Sequence, residues 1–409
     1  MRRALVVLGL LMVIQEAHAK EDRVTVRGLG PNLKLTGWQA RWQAEGEILN
    51  PLLPRPGGGM LALVKPTATK TLTLVSWSKE GKVLAQTTLP IDDDIVAAKV
   101  FGSKLIIASA TKVIEVDETD FRKMRHAAVT EAPVKKAPGE FRTYHLSPMG
   151  LWVVTAEAVA HHYLDGRPPL RRQRPLAGGS NLPPCTIVGS QPWSEGFQPA
   201  KDGAIANDSG ELLVLERFEE DYPYGNVIGF YDKVWPEVAV LLAPDGKVLM
   251  ERSSGWAEKY REWFWTMSAG AQSPLSLPSD FGLVRTRHQG RGLGFEGKRV
   301  ARGRDFLLHS SAGSSNDWIQ RLDAKLEVRW KRKIPTFGGI VVSPSWTREI
   351  LVHDGWCSEF ASLDNDGRLT GKARFSVREI SDELDTTNNR RPRFAIGQDP
   401  GGDWLLIAY

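Results

Sequence analysis

Seven basic side chains stand between positions 285 and 304: Arg285, Arg287, Arg291, Lys298, Arg299, Arg302 and Arg304, with Glu296 the one acid among them. The planar fork of arginine matches carboxylate, phosphate or sulfate, so the chemistry to expect of such a run is the binding of an anion. Two nearby stretches add aromatic faces. EEDYPYGNVIGFYDKVWPEV (219–238) carries Tyr222, Tyr231 and Trp235, and SSGWAEKYREWFWTMSAG (253–270) carries Trp265. Rings of this kind, set in loops, suit a protein partner or a sugar. A single aromatic, Phe295, stands among the charges of 285–304, too few stacking faces to favour nucleic acid as the anion.

Other chemistry fails on spacing. GLGFEG (292–297) is a literal GxGxxG, but TRHQGR before it and KRVARGRD after it supply neither the strand nor the helix that a dinucleotide site requires. His161 and His162 are adjacent, so on a strand they point to opposite faces and cannot share a metal. His288, His309 and His353 stand alone, and DNDG (364–367) lacks the ligand spacing of a calcium loop. Cys185 and Cys357 are the only cysteines, which excludes a thiolate zinc cage. They could form one disulfide or remain two buried thiols. No metal and no cofactor is expected.

These residues need elements to hold them. The N-terminus, MRRALVVLGLLMVIQEAHA, has two arginines, an apolar run and Ala17-His18-Ala19, the pattern of a secretory signal cleaved after Ala19. Its apolar run is too short to span a bilayer, and no transmembrane segment is expected. Export to the periplasm or beyond follows. Removing residues 1–19 takes away two arginines and Glu16, which lowers the formal net charge of +5 to +4, a mild excess.

The remaining chain is rich in turn residues, with 39 Gly and 25 Pro among short runs of Val, Leu, Ile and Trp, as β structure demands. A repeat runs through it. A strand-ending residue is followed at +3 by a turn residue, at +7 by a bulky one and often at +12 by proline: Ser78, Gly81, Ala85 and Pro90; Tyr163, Gly166, Leu170 and Pro175; Asp323, Leu326, Trp330 and Pro335. Asp117, Ala243 and Asp364 begin the same frame. Each occurrence is a hairpin. A second hairpin precedes it, seen best in AIANDSGELLVLERF (204–218) and AIGQDPGGDWLLIAY (395–409). Four antiparallel strands recurring about every 40 residues describe a blade of an all-β propeller. At about 42 residues per blade the length accommodates seven blades, with six or eight as alternatives. Gly166, Gly246 and Leu326 lie 80 apart rather than 40, which places insertions at 177–200, 216–236 and 256–295, around blades four and five. In the third of these, Trp256, Tyr260, Trp263, Phe264 and Met267 form one stripe of a short amphipathic helix. RVTVRG and NLKLTGW near the N-terminus and WLLIA at the C-terminus supply two half-blades that can close the ring.

LDAKLEVRW (322–330) and LDNDGRLTG (363–371) resemble the repeats of bacterial secreted propellers of the quinoprotein-like (PQQ-like) class, with their Leu-Asp-x-x-Gly turn and a tryptophan seven residues after the Asp. The first keeps the Asp and Trp but has Leu326 for the glycine; the second keeps Asp and Gly without the Trp. The resemblance implies the fold and no activity. The family's enzymes hold their quinone near a vicinal disulfide, a motif this chain lacks. The functional expectation is therefore a non-catalytic binding or scaffolding propeller for a protein partner or anionic glycan. The alternative is an enzyme with its site in the central funnel, either a hydrolase or lyase on anionic carbohydrate or a quinoprotein-like oxidoreductase. In VRWKRKI (328–334), Val328, Trp330 and Ile334 share one strand face and Arg329, Lys331 and Lys333 the other; Arg332 breaks the alternation.

Overall fold

The repeat frame is a turn with a stereochemical demand, and the computed structural model shows what each frame position does. It describes residues 21–29, 33–55, 59–66, 71–129, 142–174, 176, 197–218, 220–221, 233–234, 237–253, 299–311, 317–334, 339–341, 350–353, 359–374, 394–398 and 404–408. In four frames the +3 residue is a glycine with a left-handed backbone: φ is 90° at Gly81, 79° at Gly166, 78° at Gly246 and 74° at Gly367. Leu326 adopts the same conformation at 58° without being glycine. The aspartate that starts the frame locks the turn through its carboxylate. Asp323 Oδ1 accepts the N–H of Lys325 and Glu327 at 2.8 and 3.0 Å, and Asp364 Oδ1 those of Asp366 and Arg368.

These turns join the third and fourth strands of four-stranded antiparallel sheets, of which the described residues form seven. Sheet 1 combines both ends of the chain, in the order Leu35–Glu45, Glu21–Leu29, Trp404–Ala408, Phe394–Gln398. Thr25 faces Ala408 and Leu29 faces Trp404, the closure expected from the two half-blades. The other sheets are consecutive meanders over 47–88 (sheet 2), 95–128 (sheet 3), 142–173 (sheet 4), 197–253 (sheet 5), 299–334 (sheet 6) and 339–374 (sheet 7).

Each sheet's innermost strand touches that of the next: Phe394–Gln398 meets Glu47–Pro54, which meets Ile95–Phe101, then Arg142–Ser147, Phe197–Ala206, Arg299–Arg302 and Gly339–Val341. The apolar core lies between sheets. Leu61, Leu74, Leu105 and Ile107 pack sheets 2 and 3 together; Trp152, Val154, Leu212 and Val240 join sheets 4 and 5; Leu213, Leu241, Phe306 and Leu322 join 5 and 6. Successive sheets packed face to face around their first strands make a β-propeller.

In sheets 4, 5 and 6 the +7 residue is the link between blades. Trp330 of sheet 6 donates from Nε1 to the carbonyl of Asn365 in the next turn at 2.7 Å, and a Cβ on Gly367 would come within 2.7 Å of its ring. Leu170 sits likewise on Gly246, and Met250 packs against the cluster that holds Leu326. Two positions further on, Arg172 Nη1 donates to the Gly246 carbonyl, Arg252 Nη1 to that of Leu326 and Arg332 Nη2 to that of Asp366. Arg332 breaks the strand alternation because it ties its blade to the neighbouring turn.

The strands of sheet 5 revise the bounds of two of the expected insertions. Phe197–Ala206 and Leu212–Phe218 are strands, so the insertions shorten to 177–196 and 219–236. The segment 256–295, with its expected helix, lies outside the described residues.

Candidate functional site

In a four-stranded meander the 1–2 and 3–4 turns lie at one edge, and the 2–3 connection and the link to the next sheet lie at the other. All three insertions leave from this second edge. Phe197 pairs with Phe218, Arg217 with Glu237 and Val238 with Ser253, so the ends that bound 177–196, 219–236 and the start of 254–298 stand side by side on sheet 5. Glu220–Asp221 pairs with Lys233–Val234, holding together the two ends of 222–232, which contain Tyr222 and Tyr231.

The root of the first insertion is anchored by charge. Arg174 and Glu216 have fully buried side chains; Arg174 Nε donates to Glu216 at 3.4 Å and Nη1 to the Thr155 carbonyl at 2.9 Å. The Leu176 N–H donates to the same carboxylate at 2.8 Å. Burial lowers the pKa of Arg174, opposed by the charge and hydrogen bond of Glu216.

The predicted binding residues divide. Tyr222, Tyr231, Trp235, Trp265, Arg285, Arg287 and Arg291 lie outside the described residues, as do Cys185 and Cys357. Arg299 and Arg302 belong to the strand Arg299–Arg302, whose side chains are not described. That strand carries the chain from the insertion edge to the short-turn edge, so Arg304 emerges at the edge opposite the strand ends from which the insertions leave. Arg304 is also engaged: it donates to both carboxylate oxygens of Glu211 in sheet 5, at 2.6 and 3.2 Å.

Around Arg304 the short-turn edge is cross-tied. Asn207 Nδ2 donates to Glu211 at 2.8 Å, and the Asn207 side chain, fully buried, accepts from Ser209 and Glu211 N–H. Asp208 accepts the Gly303 N–H of sheet 6 at 2.8 Å and Lys99 Nζ of sheet 3 at 2.8 Å. Lys99 and Asp208 are separated by a whole blade, so this ion pair reaches past the innermost strand of sheet 4, where Thr143 Oγ1 and His145 Nε2 lie 3.0 Å apart.

Sheets 4 and 5 are locked at the same edge. Trp152 Nε1 donates to the Gly210 carbonyl at 3.0 Å, and Tyr163 donates to the Pro244 carbonyl at 2.7 Å. His161 stacks on Trp152, with centroids 4.1 Å apart and planes 6° from parallel. Its Nδ1 lies 2.9 Å from the same Pro244 oxygen, which can only accept, so Nδ1 carries the proton and Nε2 accepts from Ser147 Oγ at 3.2 Å. A serine, a histidine and an orienting acceptor are the parts of a nucleophilic dyad. Ser147 and His161 are both fully buried, however, and their geometry serves packing. Burial depresses the His161 pKa to about 4. His162, on the opposite face, is also buried and its pKa is likewise lowered, first by burial and then by Arg142. No group of three or more His, Cys, Asp or Glu among the described residues could hold a metal, and none of their helices is long and apolar enough to cross a membrane.

Fold and edges together define a β-propeller with one cross-tied edge and one edge that carries the long connections. No protein-family model matches the chain, and no curated protein matches it in sequence. Among solved structures it is similar to streptogramin B lyase, with 10% identity over 88% of this chain and 92% of that one and a TM-score of 0.43. It is also similar to apo AztD from Citrobacter koseri, with 11% identity over 87% and 95% and a TM-score of 0.37. Neither similarity bears on activity.

Sequence reasoning missed Lys99, Asp208 and Glu211. The NDSGE turn (207–211) signalled a hairpin, but nothing local in the chain announces an ion pair to a lysine 109 residues away.

Proposed function

We propose that the chain is an exported, seven-bladed β-propeller that acts without catalysis, binding a protein partner or an anionic ligand through the connections that leave blades four and five. Seven four-stranded sheets among the described residues support the blade count. The observation that carries the binding role is the common edge of sheet 5 from which the three insertions depart. Loops on a rigid scaffold are where such folds place recognition. Tyr222, Tyr231, Trp235 and Trp265 would supply contact area, and Arg285, Arg287 and Arg291 the positive charge. Arg304 is assigned to the scaffold, because its guanidinium already pairs with Glu211.

The alternative, an enzyme working in the funnel, draws on Lys99, His145 and Asp208 near the axis. Lys99 and Asp208 neutralise each other, and Asp208 also holds the backbone of sheet 6, which favours structure over catalysis. The test is retention of co-purifying protein and of a sulfated glycan resin by wild type and by a variant carrying Arg285→Glu, Arg287→Glu and Arg291→Glu. Loss of retention supports the reading; unchanged retention on both refutes the basic role.

A further inference from the structure

The fourth strand of each sheet is an edge whose outward N–H and C=O groups its own sheet leaves open. Two such edges, neighbours in the ring, are alike in charge. Val328–Ile334 of sheet 6 reads VRWKRKI and Leu369–Arg374 of sheet 7 reads LTGKAR, with four and two basic residues and no acid. Among the described residues no strand pairs with the outer side of either.

Register fixes the faces, because residues directly opposite each other on paired strands point the same way. Val328, Lys331 and Lys333 lie opposite Leu322, Gln320 and Trp318, and Leu322 packs on sheet 5. Leu369, Lys372 and Arg374 lie opposite Leu363, Ala361 and Glu359, and Leu363 packs on sheet 6. Both blades therefore turn toward the preceding blade an aliphatic side chain at +5 of the frame and basic ones at +8 and +10. Val328 and Leu369 are 43% and 51% exposed, Lys333, Lys372 and Arg374 are exposed and Lys331 is half-buried. The preceding blade adds an arginine at +9, Arg252 over the turn before Val328 and Arg332 over the turn before Leu369. Sheets 2 and 5 do not share the pattern, having Gln86 and Thr88, and Glu251 and Ser253, at +8 and +10.

We propose that the outer edges of sheets 6 and 7 each accept an extended acidic peptide as a fifth strand. The peptide's backbone takes up the open edge groups, its carboxylates at alternate positions stand beside the basic pair at +8 and +10, and an aliphatic residue packs on Val328 or Leu369. The same edge of a second copy is excluded by like charge. Nucleic acid finds no stacking face, because Trp330, the only aromatic residue in the two strands, is 8% exposed with its indole N–H already bonded. An anionic glycan would meet the charges and leave the edge backbone and the aliphatic residues unused. This surface is separate from the connections of sheet 5, so either can fail without the other.

The experiment is fluorescence anisotropy of the full chain with a short labelled peptide of alternating glutamate and valine. Binding is expected, and a peptide of the same composition with its glutamates in one block should bind at least about tenfold more weakly. Lys331→Glu, Lys333→Glu, Lys372→Glu and Arg374→Glu together should weaken the alternating peptide by at least about tenfold. The same variant should gain binding of a peptide of alternating lysine and valine, which also shows that it is folded. No binding by wild type, equal binding of the block peptide, or undiminished binding to the reversed variant overturns the proposal. Tighter binding of an oligothymidylate or a sulfated oligosaccharide of equal charge overturns it as well.

Discussion

Leu326 is the residue at which two demands of the repeat collide. The turn requires a left-handed backbone, which costs a non-glycine residue about 1–2 kcal/mol, yet the leucine is fully buried between sheets 5 and 6 among Leu213, Leu241 and Phe306. Burial outweighs strain, since truncating a buried leucine costs about 2–5 kcal/mol. Leu326→Gly is therefore expected to lower stability in urea unfolding despite restoring the ideal turn residue, and a stabilised variant would contradict this. His161 gives a pH prediction at the same scale. Its folded pKa of about 4 lies below the ordinary value of 6.5, so the fold favours the neutral ring. The stabilisation is complete above about pH 6.5 and is lost as pH falls toward 4, by roughly 3 kcal/mol at most. His161→Gln should be less stable than wild type at pH 7, and its stability should fall less steeply between pH 7 and 4.5. Parallel profiles would show that the ring does not titrate in this window.

Among elements, the link between hairpins is the unit that builds the ring. Trp330 on Gly367 and Leu170 on Gly246 are the same contact made with different side chains, and Arg172, Arg252 and Arg332 repeat one backbone tie at intervals of 80. Gly246→Ala should destabilise twice over, through its φ of 78° and through the collision with Leu170. Leu170→Ala would remove the collision and leave the φ strain, so a double-mutant cycle is expected to show coupling of about 0.5–3 kcal/mol; additive effects would deny the contact. The hairpins were legible in the sequence because turn chemistry is local: an aspartate, a left-handed residue three positions on and a bulky residue at +7 all lie within one short window. Arg332 was visible only as an exception to strand parity, since its partner lies in the next blade. The Lys99–Asp208 pair was invisible for the same reason, and the reach of Arg304 to Glu211 could not be foreseen from a basic run that looked continuous.

At the scale of the whole molecule, the two edges of the ring are built differently. At one edge, short turns are tied across blades by Lys99–Asp208, Arg304–Glu211 and the Trp152–His161–Tyr163 set on Gly210 and Pro244. At the other, sheet 5 sends out three long connections from adjacent strand ends, with the Arg174–Glu216 pair buried at the root of the first. Glu216→Gln would leave a buried guanidinium without its counter-charge. It should lower the unfolding midpoint by an amount equivalent to about 3–5 kcal/mol, and a silent substitution would show that the pair anchors nothing. The division into a braced edge and a recognising edge is the central claim. Its most direct test is partner retention by three chains: wild type, a variant with Trp265→Ala, Arg285→Glu, Arg287→Glu and Arg291→Glu, and Lys99→Ala. The account predicts loss of retention in the insertion variant alone, with Lys99→Ala less stable but still binding. Retention that survives the insertion changes and fails with Lys99→Ala would contradict it.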